Sequence, residues 1–199
     1  MQPARLLSAA PDAALAVAFL LTWVVPQWMG VEWLPYVLLT MLLEFFVVHS
    51  AGMMGAVMLD GSSKSSRTMK MIGLALVYTV FVSAFAFIFE QWWPLFAFWA
   101  LTLNRLTGVL LHTAPAGLER ERLMSGWVTS GILYIIWVIV TALLPLPRLG
   151  LSAAIVADAQ LPGTGAWVES PHRLMAAGAG YFLSQAYFEL SEPGQGQGT

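Results

Sequence analysis

Residues 34–60 read LPYVLLTMLLEFFVVHSAGMMGAVMLD, an apolar run interrupted inside by one acidic residue, Glu44, and one histidine, His49. Such a run exceeds the roughly 20 residues needed to cross about 30 Å of hydrocarbon. Lipid supplies no water to bond backbone N–H and C=O groups, so a segment crossing it satisfies them internally, as a helix. The alternating units of about ten residues that mark a membrane β-barrel are not visible.

The pattern recurs on either side of this segment. Further apolar segments run over Pro11–Val25, Thr68–Glu90, Pro94–Thr113, Ser125–Leu146 and Pro171–Leu190. The first is short and the last is the least apolar. The expected fold is all-α, a polytopic bundle of about six spanning helices. A single domain over 1–192 is followed by a polar tail, 193–199, that has nothing to bury. Composition agrees: 58% of residues are hydrophobic and 10% charged, against about 45–50% and 25% in soluble domains. Arg5 and the apolar stretch Ala13–Val25 imitate a signal peptide. Pro26-Gln27-Trp28 is not a small-residue cleavage site, so a retained first helix is expected.

Charge sets the orientation. Of the nine basic residues, Arg5, Lys64, Arg67, Lys70, Arg120 and Arg122 fall on one side. Arg148 and Arg173 fall on the other, and Arg105 lies inside a helix. The positive-inside rule makes the first side, with both termini, cytoplasmic. Trp28, Trp33, Trp92, Trp93 and Trp167 collect at the opposite interface, with Trp127 at the inner one, as amphipathic rings do at headgroup level. An Ala- and Trp-rich chain with short loops suits a bacterial inner membrane. The longest connection, 147–170, is read as a connector covering helix ends, with a short helix over Ser152–Ala159. Ser170-Pro171 reads as an N-cap followed by a proline at the first helical position.

Net charge is −2 and cysteine is absent. Nucleic-acid binding, disulfides, thiolate metal sites and thiol catalysis are excluded. His49, His112 and His172 lie at three depths, so they do not supply two axial haem ligands, and their spacing suggests neither zinc nor di-iron. No cofactor is expected. Gly61-Ser62-Ser63 lacks the flanking pattern of a nucleophile elbow, and there is no glycine-rich phosphate loop. The expected partners are the lipid bilayer and either a second copy of the chain or another membrane protein.

Ionisable residues within lipid are costly and mark candidate sites. Glu44 lies ten residues from the outer end of its segment and Arg105 eleven, which at 1.5 Å per residue puts them about 15 and 16.5 Å deep. Equal depth near the midplane makes them natural partners, because either charge alone in hydrocarbon costs several kcal/mol. Asn104 lies beside Arg105, and His49, i+5 from Glu44, points about 140° away round the helix. His49 on its own is expected to bond a backbone carbonyl or a hydroxyl. Small residues mark packing faces: Ala176, Gly180 and Ser184 recur at i+4, and Ala51 and Gly55 fall near the Glu44 stripe. Gly52 and Ala56 lie near His49. The leading functional expectation is a small non-enzymatic membrane protein, an accessory factor or a subunit, that works through helix packing. The alternative is a small transporter or proton-coupled carrier with Glu44 and Arg105 at its midplane.

Overall fold

A computed structural model describes residues 3–111 and 117–191. His112 and the 193–199 tail lie outside the described residues. Within them the secondary structure is helical and contains no strand. The long helices are α1 (Pro3–Val24), α3 (Leu34–Met58), α4 (Lys64–Ile88), α5 (Trp93–Leu111), α6 (Gly117–Leu143) and α9 (Pro171–Ser191). Short helices α2 (Pro26–Met29), α7 (Ala153–Asp158) and α8 (Ala166–Glu169) sit in the connections.

Local chemistry accounts for the boundaries. Ser63 precedes α4, and its Oγ accepts from the Ser66 N–H at 3.3 Å. The cap starts α4 at Lys64, about a turn before the expected Thr68. Ser152 caps α7 in the same way through Ile155 N–H, and α9 begins at Pro171, where a missing N–H costs no helical bond. α4 ends in a Schellman arrangement, with Gln91 N–H to Ala86 O (2.9 Å) and Glu90 N–H to Phe87 O (3.2 Å). Glu90, with φ 53°, occupies the left-handed position usually taken by glycine. α1 begins at Pro3, ahead of the expected Pro11, so Pro11 lies inside the helix.

Four helical stretches are long and apolar enough to cross a membrane: Arg5–Val24, Val31–Met58, Lys64–Ile88 and Met124–Leu143. Their outer faces carry large apolar side chains in the open, among them Val80, Phe81 and Phe87 on α4 and Ile132, Ile135 and Ile139 on α6. Water-facing proteins rarely expose contiguous apolar surface on this scale. α5 and α9 fall outside the four. α9 is less apolar, with His172, Arg173, Gln185 and Glu189 along it, and it buries Leu174, Met175, Ala176, Ala177, Gly178, Tyr181, Phe182 and Ala186.

The chain divides into two compact units, Met1–Leu38 with Leu133–Thr199, and Leu39–Ile132. In the first, α1 and α9 pack antiparallel. Arg5 Nη1 donates to Leu190 O at 3.5 Å at one end, and Phe19 meets Phe182 with ring centroids 5.5 Å apart further along. The chain after α6 is tied to the end of α1 by Trp23 Nε1 to Pro147 O (3.0 Å) and Gly150 N–H to Trp23 O (3.1 Å). In the second unit, Met71, Ala75, Tyr78 and Val82 form a buried stripe on α4 at helical spacing, packed with Phe46 and Met54 of α3 and Phe98 of α5.

Candidate functional site

On α3, α4 and α5 of the second unit, a few polar side chains stand among apolar residues. Arg105, half-buried on α5, donates from Nη1 to Ser50 Oγ on α3 at 3.1 Å and lies 4.0 Å from Met54 Sδ. Ser50 is fully buried and donates in turn to Val47 O at 3.0 Å. Ser50 and Met54 are four residues apart, one above the other on the same helix face. The guanidinium thus rests on a hydroxyl and a thioether. Glu44, partly buried on α3, acts on Arg105 through its charge. Ser50 is six residues beyond Glu44, about 9 Å along the helix, so the guanidinium reaches toward the later turns of α3. One turn before Arg105, Thr102 Oγ1 is buried with no hydrogen-bond partner among the described residues.

His49 and Asn104 take other positions. His49 is exposed; its Nδ1 shares a 2.5 Å hydrogen bond with the Tyr78 hydroxyl of α4. Its ring stacks on Phe45 at 5.8 Å and meets Tyr78 edge-on at 5.7 Å. Asn104 is exposed, and its backbone carbonyl accepts from Thr107 Oγ1 at 2.7 Å. Glu44, Ser50 and Arg105 therefore form one group, while His49 belongs with Tyr78.

The small residues lie against indole rings. A Cβ on Gly55 would fall 2.0 Å from the Trp127 ring, and Ala51, one turn earlier, is partly buried. In the first unit, a Cβ on Gly180 would fall 2.4 Å from the Trp137 ring. Trp137 Nε1 donates to Ser184 Oγ at 3.0 Å, and Ser184 Oγ donates to Gly180 O at 2.8 Å. Ala176 continues that face along an apolar cleft.

Reasoning from sequence missed Ser50 and Thr102. Hydroxyls spaced along apolar helices were the available signal, because a buried hydroxyl needs a partner and a buried guanidinium needs acceptors. It also missed Arg67, which is buried on α4 and donates from Nη1 to Met58 O at 3.1 Å, capping the end of α3.

Chemically, the Arg105 group offers a fixed cation with an acid and two hydroxyls nearby, which suits holding an anion or exchanging a proton at Glu44. Among the described residues, no three His, Cys, Asp or Glu side chains gather as metal ligands. Compared with protein-family models, curated proteins and solved structures, the chain matches none.

Proposed function

We propose that this chain is a six-helix integral membrane protein of a bacterial inner membrane, with both termini cytoplasmic. It serves as an accessory factor or subunit that works by helix packing. The carrying observation is an open groove of about 510 Å³ between α3 and α4, lined by Met53, Ala56, Val57, Gly73, Leu74 and Val77 with Asp60 and Lys70 at its end. A Cβ placed on Gly73, or on Gly52 of α3, meets nothing within 4 Å. Open small residues on apolar helices allow a neighbouring helix to approach closely, which drives association in lipid. The shared end of α1 and α9, joined by Arg5 and Leu190, supports termini on one side.

A transporter reading has its own support in the unpartnered Thr102 hydroxyl one turn from Arg105, since buried polar groups without partners often serve function. Mass measurement after extraction in mild detergent separates the two. The subunit reading expects a stoichiometric complex heavier than the 21.7 kDa chain, dissociated by Gly73→Leu. A monomer unaffected by Gly73→Leu, with solute or proton flux abolished by Arg105→Met, favours transport.

A further inference from the structure

The first unit contains a cleft of about 380 Å³ whose walls come from three helices. Val17, Leu20 and Trp23 of α1 form one wall, Trp137 and Val140 of α6 the second, and Ala179 of α9 is on the third. Its volume is that of a small-molecule site, yet its walls are almost wholly apolar. Of its polar groups, Thr141 Oγ1 is turned back to Trp137 O at 2.8 Å and Trp137 Nε1 is bonded to Ser184. A polar solute would gain nothing there. A hydrocarbon chain would.

Charge at one end of the cleft narrows the occupant. Arg148 follows Pro147, whose carbonyl is held by the cleft residue Trp23. Arg173 lies one turn before Ala176, and its Nη1 donates to Ala142 O, beside the cleft residue Thr141. The charges of both arginines reach His172. The nearest acid along the chain, Glu169, bonds Gly165 N–H at 3.3 Å. Arg148 and Arg173 are also the two basic residues that the positive-inside pattern leaves on the outer side. Both arginines thus adjoin residues at the same end of the apolar cleft, Arg148 through Pro147 and Trp23 and Arg173 through Ala142.

We propose that this cleft holds one acyl chain of an anionic phospholipid, whose phosphate is bound by Arg148 and Arg173. The site goes beyond helix packing and needs only the membrane placement above. Guanidinium pairs suit phosphate because their planar donors match its oxygens. The apolar walls supply affinity, and the two positive charges supply choice of headgroup, because phosphatidylcholine has the same phosphate but adds a choline cation that the arginines repel.

The test is native mass spectrometry of the full chain in detergent, titrated with phosphatidylglycerol or phosphatidylcholine. Retention of the chain in alkaline-washed membranes is checked first, and its release there would overturn the placement and the lipid site together. In a retained chain, the wild type should bind one phosphatidylglycerol in preference to phosphatidylcholine. At about 1 kcal/mol per arginine, the preference should be about thirtyfold and should fall about fivefold in Arg148→Gln. Arg148 is exposed, so that change leaves the fold intact, whereas Arg173→Gln also removes the bond to Ala142. Ala179→Phe should abolish retention of both lipids by filling the cleft. Equal retention of the two lipids by the wild type overturns the inference, as does a preference unchanged in Arg148→Gln.

Discussion

Replacing glycine by alanine should have opposite signs at two positions that sequence alone scarcely separates. Gly178 on α9 and Gly73 on α4 are both helix-interior glycines flanked by apolar residues. In an open setting, Gly→Ala stabilises a helix by about 0.5–1 kcal/mol. At Gly73 nothing within the chain stands within 4 Å of the new Cβ, so in the dissociated chain Gly73→Ala should realise that gain. At Gly178 the Cβ would fall 2.3 Å from Phe19 Cδ1 and 2.7 Å from its Cγ. Normal carbon contact is about 3.5–4.0 Å, so α1 and α9 must separate by more than about 1 Å. Phe19 cannot turn aside, because it is fully buried and packed on Phe182. Overpacking of this kind costs about 1–3 kcal/mol, which outweighs the helical gain. Gly178→Ala should therefore be destabilised by about 0.5–2 kcal/mol, and the two variants should differ by roughly 1–3 kcal/mol. Reversible unfolding in mixed micelles, followed by tryptophan fluorescence, measures both. A shift of the same sign and size in the two variants would refute the close α1–α9 contact.

Removing one member of a buried charged pair costs about 3–5 kcal/mol, whereas apolar replacement of both is often neutral. Glu44→Leu with Arg105→Met should thus recover stability that each single change loses; additive losses in the same unfolding assay would show that the two charges are uncoupled. Asp60 is held below its ordinary value of 3.8 by hydrogen bonds from Lys70 and Ser62. With a folded value below the unfolded one, its contribution is present above about pH 4 and fades as acid reaches the folded value. The melting temperature of the wild type should approach that of Asp60→Asn as the pH falls below about 4, and a constant gap would remove Asp60 as the cause. Glu90→Gly relieves a left-handed residue at the end of α4 and should stabilise by about 1 kcal/mol; a loss of stability would show that the Glu90 side chain contributes more than its backbone costs.

Different parts of this fold were legible to different degrees. The apolar runs announce helices because lipid and protein interior both demand them. The same feature hides which face is which: on α4, the buried Met71, Ala75 and Val82 and the exposed Leu76, Val77 and Val80 are chemically alike, so no periodicity marks the inner stripe. Only Tyr78 and Arg67 stand out on that face. α9 reads as the weakest span because it is the least apolar, yet it is largely buried, and its run of Ala and Gly reflects close packing. Glu44 and Arg105 stand out in the sequence because charge in a long apolar segment is rare. Ser50 could not be distinguished in advance from the other hydroxyls on these helices, since its role depends on how far the Arg105 side chain reaches along α3. His49 reads as an isolated residue because its partner, Tyr78, lies on another helix and 29 positions away. The apolar run alone puts the start of α1 at Pro11, whereas the helix already includes Pro3–Ala10, a stretch whose Arg5 and Ser8 interrupt the apolar pattern.

Cysteine accessibility tests the proposed six crossings of the membrane most directly, because the sequence has no cysteine. Single cysteines at Ser65, Thr164 and Ser191 occupy exposed positions after α3, before α9 and at the end of α9. An impermeant maleimide added to intact spheroplasts should label Thr164→Cys alone, and Ser65→Cys and Ser191→Cys should react only after lysis. Three crossings separate the first pair and one the second, so labelling of Ser65→Cys and Thr164→Cys from the same side would remove α5 as a span. Labelling of Ser191→Cys together with Thr164→Cys would remove α9, and either result would contradict the six-helix account.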